Sequence, residues 1–578
     1  VIAARFPPGS FEPGDGRISP TVVVLRTATA FGILLIGAPL LSLFWIAASG
    51  DLGPARHVFS VVLPAAIFDT GVLLLGVGAV TVLLGVGAAW LVTAFSFPGR
   101  GLLSVALVLP LAVPTYIIAY VYVEILEPLG PVQSAIRTVF GFEGRSDYAF
   151  PEIRSMPGAI LLLGCVLYPY VYLPVRALFS IQSASLIEAA RTLGASPASV
   201  FLRIALPLAR PAVALGLSLA LLETLNDIGA TDHLGVRTLT VAVYTTWLNR
   251  GSLPGAAVIA LVLLTAATVF ILIEMRSRGE RSFAISAKKP RHQEPIALSG
   301  FKAFLAAAAC ALPPSAGFLI PSAFLVAEAS ARGARIDPGL PAQIAATFAF
   351  ALPATLLIVV FGALLGAAVR ILRHPAAAWS ARIAGLGYAL PGTVVAVALL
   401  APIAAIDNLA ADLANAVFGG RAGLLLTGSG AAVVIAYMVR FSGIAVGGVE
   451  NGFLRLSPHV DDAARTLGLG PGPLLREIHW PLLRPALASS ALLVFVDAMK
   501  ELPATLLLRP LNVETLATAV YAHAGRGVFE DGALASLLIV LAGLAPVILL
   551  MRTSVAATAR LTVDTAMRSP LNSATTGP

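Results

Sequence analysis

The sequence predicts an all-α, polytopic membrane protein with about twelve transmembrane helices in two parallel six-helix repeats, and three observations carry that prediction. Hydrophobic residues make up 58% of the 578 and charged residues only 12%, with a mean hydropathy of +0.90. A water-soluble domain could not place so apolar a chain on its surface. Apolar runs of about 20 residues, the length a helix needs to cross a hydrocarbon core of ~30 Å, recur along the whole chain. One polar segment is written twice: "EAARTLG" at Glu188 to Gly194 returns as "DAARTLG" at Asp462 to Gly468, displaced by 274 positions.

Taken in order, a polar segment over 1–21 precedes the first span, and no secretory signal peptide is visible in it. Spans are expected at about 22–48, 72–95, 102–126, 158–179, 211–233 and 254–275, which form the first half. A basic linker over 276–302 follows, containing "RSRGERSFAISAKKPRHQEP". It reads as a solvated segment beside anionic headgroups, and with no aromatic interleaving it predicts no nucleic-acid partner. The second half repeats the plan at about 303–327, 347–370, 383–405, 423–447, 486–508 and 533–551, ahead of a tail over 552–578. Lys and Arg concentrate in the loops on the N-terminal side, so both termini are expected in the cytoplasm of a multi-pass bacterial inner-membrane protein. Cys165 and Cys310 lie in apolar runs and read as core packing, with no disulfide framework or metal cluster.

An even number of spans per half means that the copies insert with one orientation, related by an axis along the membrane normal. The repeat extends past the polar segment. "LPLAVPTY" (Leu109 to Tyr116) is echoed by "GYALPGTV" (Gly387 to Val394), placing Pro114 opposite Pro391, and "LTVAVY" ending at Tyr244 by "LATAVY" ending at Tyr521. The displacement there is 277, so three residues are inserted between.

Each polar copy falls between the fourth and fifth span of its half, in loops set at 180–211 and 448–485. Ser185 and Glu188 form a capping box, with Leu186, Ala189, Ala190 and Leu193 on one side and Gly194 suited to close the helix. Ser196 as N-cap with Pro197 behind it opens a second helix, expected to end near Pro207. In the other copy Ser457 and Pro458 open, Gly468 closes, and Pro481 is expected to end the second helix. A loop that merely joins two spans needs no such caps, so this one reads as built to be grasped.

"EAARTLGASPASVFLRIALPLARP" and "DDAARTLGLGPGPLLREIHWPLLRP" resemble the EAA loops of binding-protein-dependent ABC importer permeases. The resemblance implies that each loop forms a coupling helix seated in a separate ATPase subunit. The contacting residues implied are Glu188, Ala189, Ala190 and Gly194 in one copy and Asp462, Ala463, Ala464 and Gly468 in the other. Asp462 departs from the usual Glu. Two loops imply two ATPase copies, and the family implies a periplasmic or lipid-anchored binding protein as a further partner. No G-x-x-x-x-G-K-[ST] loop exists, and none of the four lysines follows a glycine, so the chain has no P-loop of its own. No cofactor is therefore expected in this chain; ATP and Mg belong to the partner. Arg203, Arg210, Arg476 and Arg484 in the same loops suit docking or headgroup anchoring.

Ionisable residues within spans mark pathways or pairs. Glu223 and Asp227 sit four apart on one face of span five, followed by Asp232; Asp497, Lys500 and Glu501 occupy span eleven. They read either as an acidic lining for a cation, or as groups neutralised by Lys500 or solvated at the outer mouth. No catalytic set and no metal site is expected; His233, beside Asp232, lacks the ligand count. Tyr168 and Tyr172 in "YPYVY" share a face and suit packing or interfacial anchoring, with phenol ligation the alternative. "LLETLNDIGATDHLGVRTLTVAVYTTW" and "MKELPATLLLRPLNVETLATAVY" resemble the fused two-half permeases of ferric iron importers, which implies ferric iron as cargo; thiamine and phosphonate permeases share the fused plan. An ion-coupled secondary transporter is the rival from another class, and it leaves the twin loops unexplained.

Overall fold

In the computed structural model, residues 19–49, 58–181, 190, 192–278, 295–331, 337–419 and 423–549 are described. Helices account for the architecture, apart from one parallel strand pair of two residues each, Phe95–Ser96 with Ile296–Ala297. Among the described residues, eleven helices are long and apolar enough to cross a membrane. A twelfth span is reached by counting a pair bent by 96°, Arg100–Ala112 with Thr115–Phe140, as one. The expected spans all have a counterpart in this set.

The bend has a local cause. Pro114 stands in an extended conformation (φ −59°, ψ 143°) and has no N–H to continue a ladder, so a new helix, Thr115–Leu126, starts directly behind it. Pro391 does the same (φ −56°, ψ 137°) ahead of Gly392–Phe418. These are the two prolines that the sequence repeat aligns.

One buried polar contact repeats with the helices. The Leu239 amide donates to Thr70 Oγ1 at 2.9 Å, and 277 positions on the Leu516 amide donates to Thr347 Oγ1 at 2.9 Å. Each bond pins a short helix, Leu239–Leu248 or Leu516–Gly525, against the long second helix of its half.

The halves are crossed rather than side by side. Pro20–Ala48 packs on Leu340–Leu372, Pro375–Leu386 and Gly392–Phe418 of the second half. Ser380 donates to the Thr29 carbonyl at 2.9 Å across that contact. The first helix of the second half, Gly300–Ala331, reaches back in turn: Gly317 lies so close to the Cys165 carbonyl that a Cβ would come within 2.4 Å of it. Cys310 is fully buried. The largest apolar cluster runs through both halves, and its members meet at the seam.

Candidate functional site

Two places collect the residues that the sequence singles out: the repeated loops, and a cavity at the seam. In the second loop Ser457 caps Pro458–Thr466, accepting from the His459 amide at 3.3 Å. Gly468 closes it at φ +81°, and the Leu469 amide bonds back to the Ala464 carbonyl at 3.0 Å. This glycine-closed ending satisfies the last carbonyls with a residue that pays no Cβ penalty. The first loop ends identically, with Gly194 at φ +81° and the Ala195 amide on the Ala190 carbonyl at 3.0 Å. Glu188, Ala189 and the Ser185 capping box lie outside the described residues. Asp462, Ala463 and Gly468 are exposed and Ala464 is buried. Leu193 and Leu467, one residue before each closing glycine, are 87% and 81% exposed.

The second helices do not end at Pro207 and Pro481 as the sequence suggests. Each runs on into the fifth span of its half through one widened turn, Phe201–Ala205 or Leu474–His479. The Leu206 amide reaches the Phe201 carbonyl, and the Trp480 amide the Leu475 carbonyl, five residues back. The wider register precedes a proline that offers no N–H, so the helix bypasses it instead of breaking.

Sequence reasoning pointed at Asp462 and missed its neighbour. Asp461 is 2% exposed and turned inward. Arg370 Nε, in the last turn of Leu340–Leu372, donates to Asp461 Oδ2 at 2.7 Å, and His479 Nε2 meets Oδ1 at 2.9 Å. Arg370 also reaches the Ser457 carbonyl at 3.4 Å, and its guanidinium stands 5.8 Å from the centre of the Phe453 ring. Burial alone would raise the Asp461 carboxyl; the His479 and Arg370 hydrogen bonds overcome that and hold it below the ordinary aspartate range. The loop is thus clamped to two membrane helices. At the matching positions the first half carries Thr93, Ile187 and Ala205, so these residues cannot repeat the clamp there.

Spans five and eleven are not continuous through their acids. Leu206–Asn226 stops at Asp227, which is extended (ψ 126°), and a five-residue helix, Gly229–His233, follows. Trp480–Met499 likewise gives way to Pro503–Leu508. The amides at the start of each new helix are met by the acids: Ala230 and Thr231 donate to Asp227 Oδ1 at 2.9 and 3.0 Å, and Ala504 and Thr505 to the Glu501 oxygens at 2.9 Å each. Irregular backbone of this kind is tolerated among membrane helices where it lines a cavity.

It does so here. A cavity of about 110 Å³ at the seam is lined by Glu223, Asp227, Asp497 and Glu501 together. Its two cations, Lys500 and Arg440, are both engaged: Lys500 with Asp497 at 2.9 Å, Arg440 with Glu501 at 2.6 Å. Asp227 takes the Thr115 hydroxyl, and Glu223 accepts from the Tyr388 phenol at 3.1 Å. Gly392 stands where the repeat puts Thr115, and a Cβ there would meet Glu501 and Arg440 within 2.9 Å. Asp232 accepts from Tyr521 at 2.7 Å, and the Tyr521 ring meets its repeat mate Tyr244 edge to face at 6.3 Å. His233 packs against the Tyr120 ring, 4.6 Å between centroids. Tyr168 and Tyr172 are fully buried, Tyr172 donating to the Ser104 carbonyl at 3.0 Å, while Tyr170 between them faces the cavity. Sequence reasoning missed Arg440, although a lone arginine in "VVIAYMVRFSG" is itself a signal that a buried acid awaits it.

Comparison with known proteins establishes the family. Residues 81–281 match the family model "Binding-protein-dependent transport system inner membrane component". The chain is 24% identical over 535 residues to the Fe(3+)-transport system permease protein FbpB 2 of Haemophilus influenzae, spanning 90% of this chain and 97% of that one. It is 31% identical over 195 residues to the molybdenum transport system permease protein ModB of Escherichia coli, covering 82% of that protein but 33% of this chain, as expected if one half here equals a whole relative. It is also 32% identical over 184 residues to the putative 2-aminoethylphosphonate transport system permease protein PhnU of Salmonella paratyphi A, which covers 31% of this chain and 62% of that one. These matches decide against an ion-coupled secondary transporter: the chain belongs to the inner-membrane components of binding-protein-dependent transport systems, the multi-pass permease subunits of ABC importers, and is not itself an ATPase.

Proposed function

We propose that the protein is the permease of an ATP-driven ferric iron importer. Two copies of an ABC ATPase, carrying ATP and Mg, seat on the loops that present Leu193 and Leu467, with both termini on that cytoplasmic side. A periplasmic or lipid-anchored binding protein delivers the cargo to the opposite face. Closure of the ATPases pulls on the loops, tilts the crossed halves and alternately opens the seam to either side.

The observation that carries the cargo reading is the charge of the seam cavity. Four carboxylates face two cations, a formal excess of two negative charges, and both cations are already bound to acids. Such a lining favours a cation and opposes molybdate or a phosphonate, whose charge it repels. Carboxylate and phenol oxygens are hard donors that suit Fe(III). The relative aligned along nearly the whole chain carries a ferric transport name, which supports the same choice.

The test is reconstitution of the permease in liposomes with its ATPase and binding protein. ATP-dependent uptake of radioactive iron, without uptake of molybdate or 2-aminoethylphosphonate, is the expected result. Uptake of either oxyanion in place of iron would overturn the cargo assignment.

A further inference from the structure

We propose that the seam cavity holds the cargo in transit as an iron(III) ion bound by Glu223 and by the phenols of Tyr170 and Tyr388. This rests on the ferric reading above and names the ligands that reading lacks.

The four acids of the cavity are not equivalent. Asp497 is taken by Lys500, Glu501 by Arg440 and two amides, and Asp227 by two amides and the Thr115 hydroxyl. Glu223 instead accepts from the Tyr388 phenol, and Tyr170 lines the cavity beside the same carboxylate. Among the described residues no three His, Cys, Asp or Glu gather into a metal set; here phenols supply the missing donors. One carboxylate and two phenolates carry three negative charges, the number that neutralises Fe(III). Each phenol that binds releases its proton to cavity water, so two protons leave as two Fe–O bonds form. The iron stays ferric.

Independent signs of an occupant surround these groups. The Tyr116 hydroxyl and the Asn226 Oδ1, on residues 5% exposed, line the cavity with no hydrogen-bond partner. Buried polar atoms are rarely left so unless a ligand or water meets them. A cavity of about 110 Å³ has room for an ion that keeps several waters, which Tyr116 and Asn226 would bond.

The phenols come from opposite halves, and the repeat does not duplicate them: Leu111 stands where Tyr388 would recur and Ile444 where Tyr170 would. There is one such site per chain. Tilting the halves apart draws Tyr388 away from Tyr170 and Glu223, so the motion that opens the seam also dismantles the ligand set. Capture and release follow from one movement, and conduction needs binding that is easily undone.

The test uses the purified permease–ATPase complex, without binding protein, titrated with ferric citrate. An iron(III)–phenolate centre gives a visible charge-transfer band, expected to saturate at one iron per chain and to be displaced by Ga(III). Tyr170→Phe or Tyr388→Phe alone should weaken binding about tenfold, equivalent to about 1.4 kcal/mol, and the double substitution should abolish the band. Tyr172→Phe, outside the cavity, should keep it; thermal melting of each variant separates lost ligation from lost folding. A complex that imports iron when its binding protein is supplied, yet shows no band, or a folded double variant that keeps it, overturns the site and leaves the ferric reading standing. A complex that imports an oxyanion and no iron removes both.

Discussion

Neighbouring carboxylates do different work in this protein according to which way each is turned. Asp461 points inward to Arg370 and His479 and holds the second loop; Asp462, next to it, is exposed. Removing one partner from a buried ion pair leaves the other uncompensated, a loss of about 3–5 kcal/mol. Arg370→Ala should therefore lower the melting temperature and uncouple ATP hydrolysis from uptake, read as the ratio of the two rates in liposomes. Arg370→Lys should recover little, since a single ammonium cannot serve the Asp461 carboxylate and the Ser457 carbonyl together in fork geometry. The Asp461 carboxyl is depressed in the folded state. Its contribution is full above the ordinary aspartate value of about 3.9 and fades as pH falls through the lower folded value. An Asp461→Asn variant should therefore lack the part of acid destabilisation that wild type shows below about pH 4. In the cavity, Gly392→Val should drive a side chain into Glu501 and Arg440, reducing uptake without altering insertion, checked by membrane yield against transport rate. None of these partnerships was legible from spacing, because Arg370 lies 91 residues from Asp461 and Arg440 lies 61 from Glu501. Only Arg440, alone in an apolar run, announced that a partner had to exist.

At the scale of elements, local signals were read correctly and continuations were not. Ser457, Gly194 and Gly468 behave as their caps predict, because a cap depends on a few adjacent residues. Gly468→Ala forces a Cβ into the left-handed region, at a loss of about 1–2 kcal/mol. It should blunt coupling more than it lowers expression, measured by binding-protein-stimulated ATPase activity. Charge reversal at Glu188 and Asp462 together should leave the protein inserted but uncoupled; normal transport by that double variant would contradict the docking role. The prolines misled because Pro207 and Pro481 ordinarily stop a helix. Here a widened turn absorbs each one, so the loop's second helix is continuous with the fifth span as far as the break at Asp227 or Lys500. The breaks at Asp227 and Lys500 were written locally but passed over: the expected spans run through the acids, although Asp227 and Glu501 each accept from amides three and four residues on, as a residue that opens a new helix does.

The whole molecule was the most legible scale, since span length and internal repetition are written directly in composition and spacing. What repetition could not convey is that each half lends its first helix to the other. Pro20–Ala48 packs on Leu253–Arg278 of its own half but otherwise finds its neighbours among residues 340–418, and Gly300–Ala331 lies against the first half. A chain cut within the linker and produced as two polypeptides should yield stable protein only when both pieces are made together, with either piece alone degraded, as followed by pulse-chase labelling. Small residues make the exchange possible: Gly32 admits Ser380 and Phe361, and a Cβ there would come within 2.4 Å of Ser380 Oγ. The exchange also sets a timetable for biogenesis. A ribosome threads Pro20–Ala48 into the bilayer long before residues 340–418 are translated, so this helix can meet Leu253–Arg278 early but has its remaining face beside lipid or an insertase until the C-terminal portion is complete.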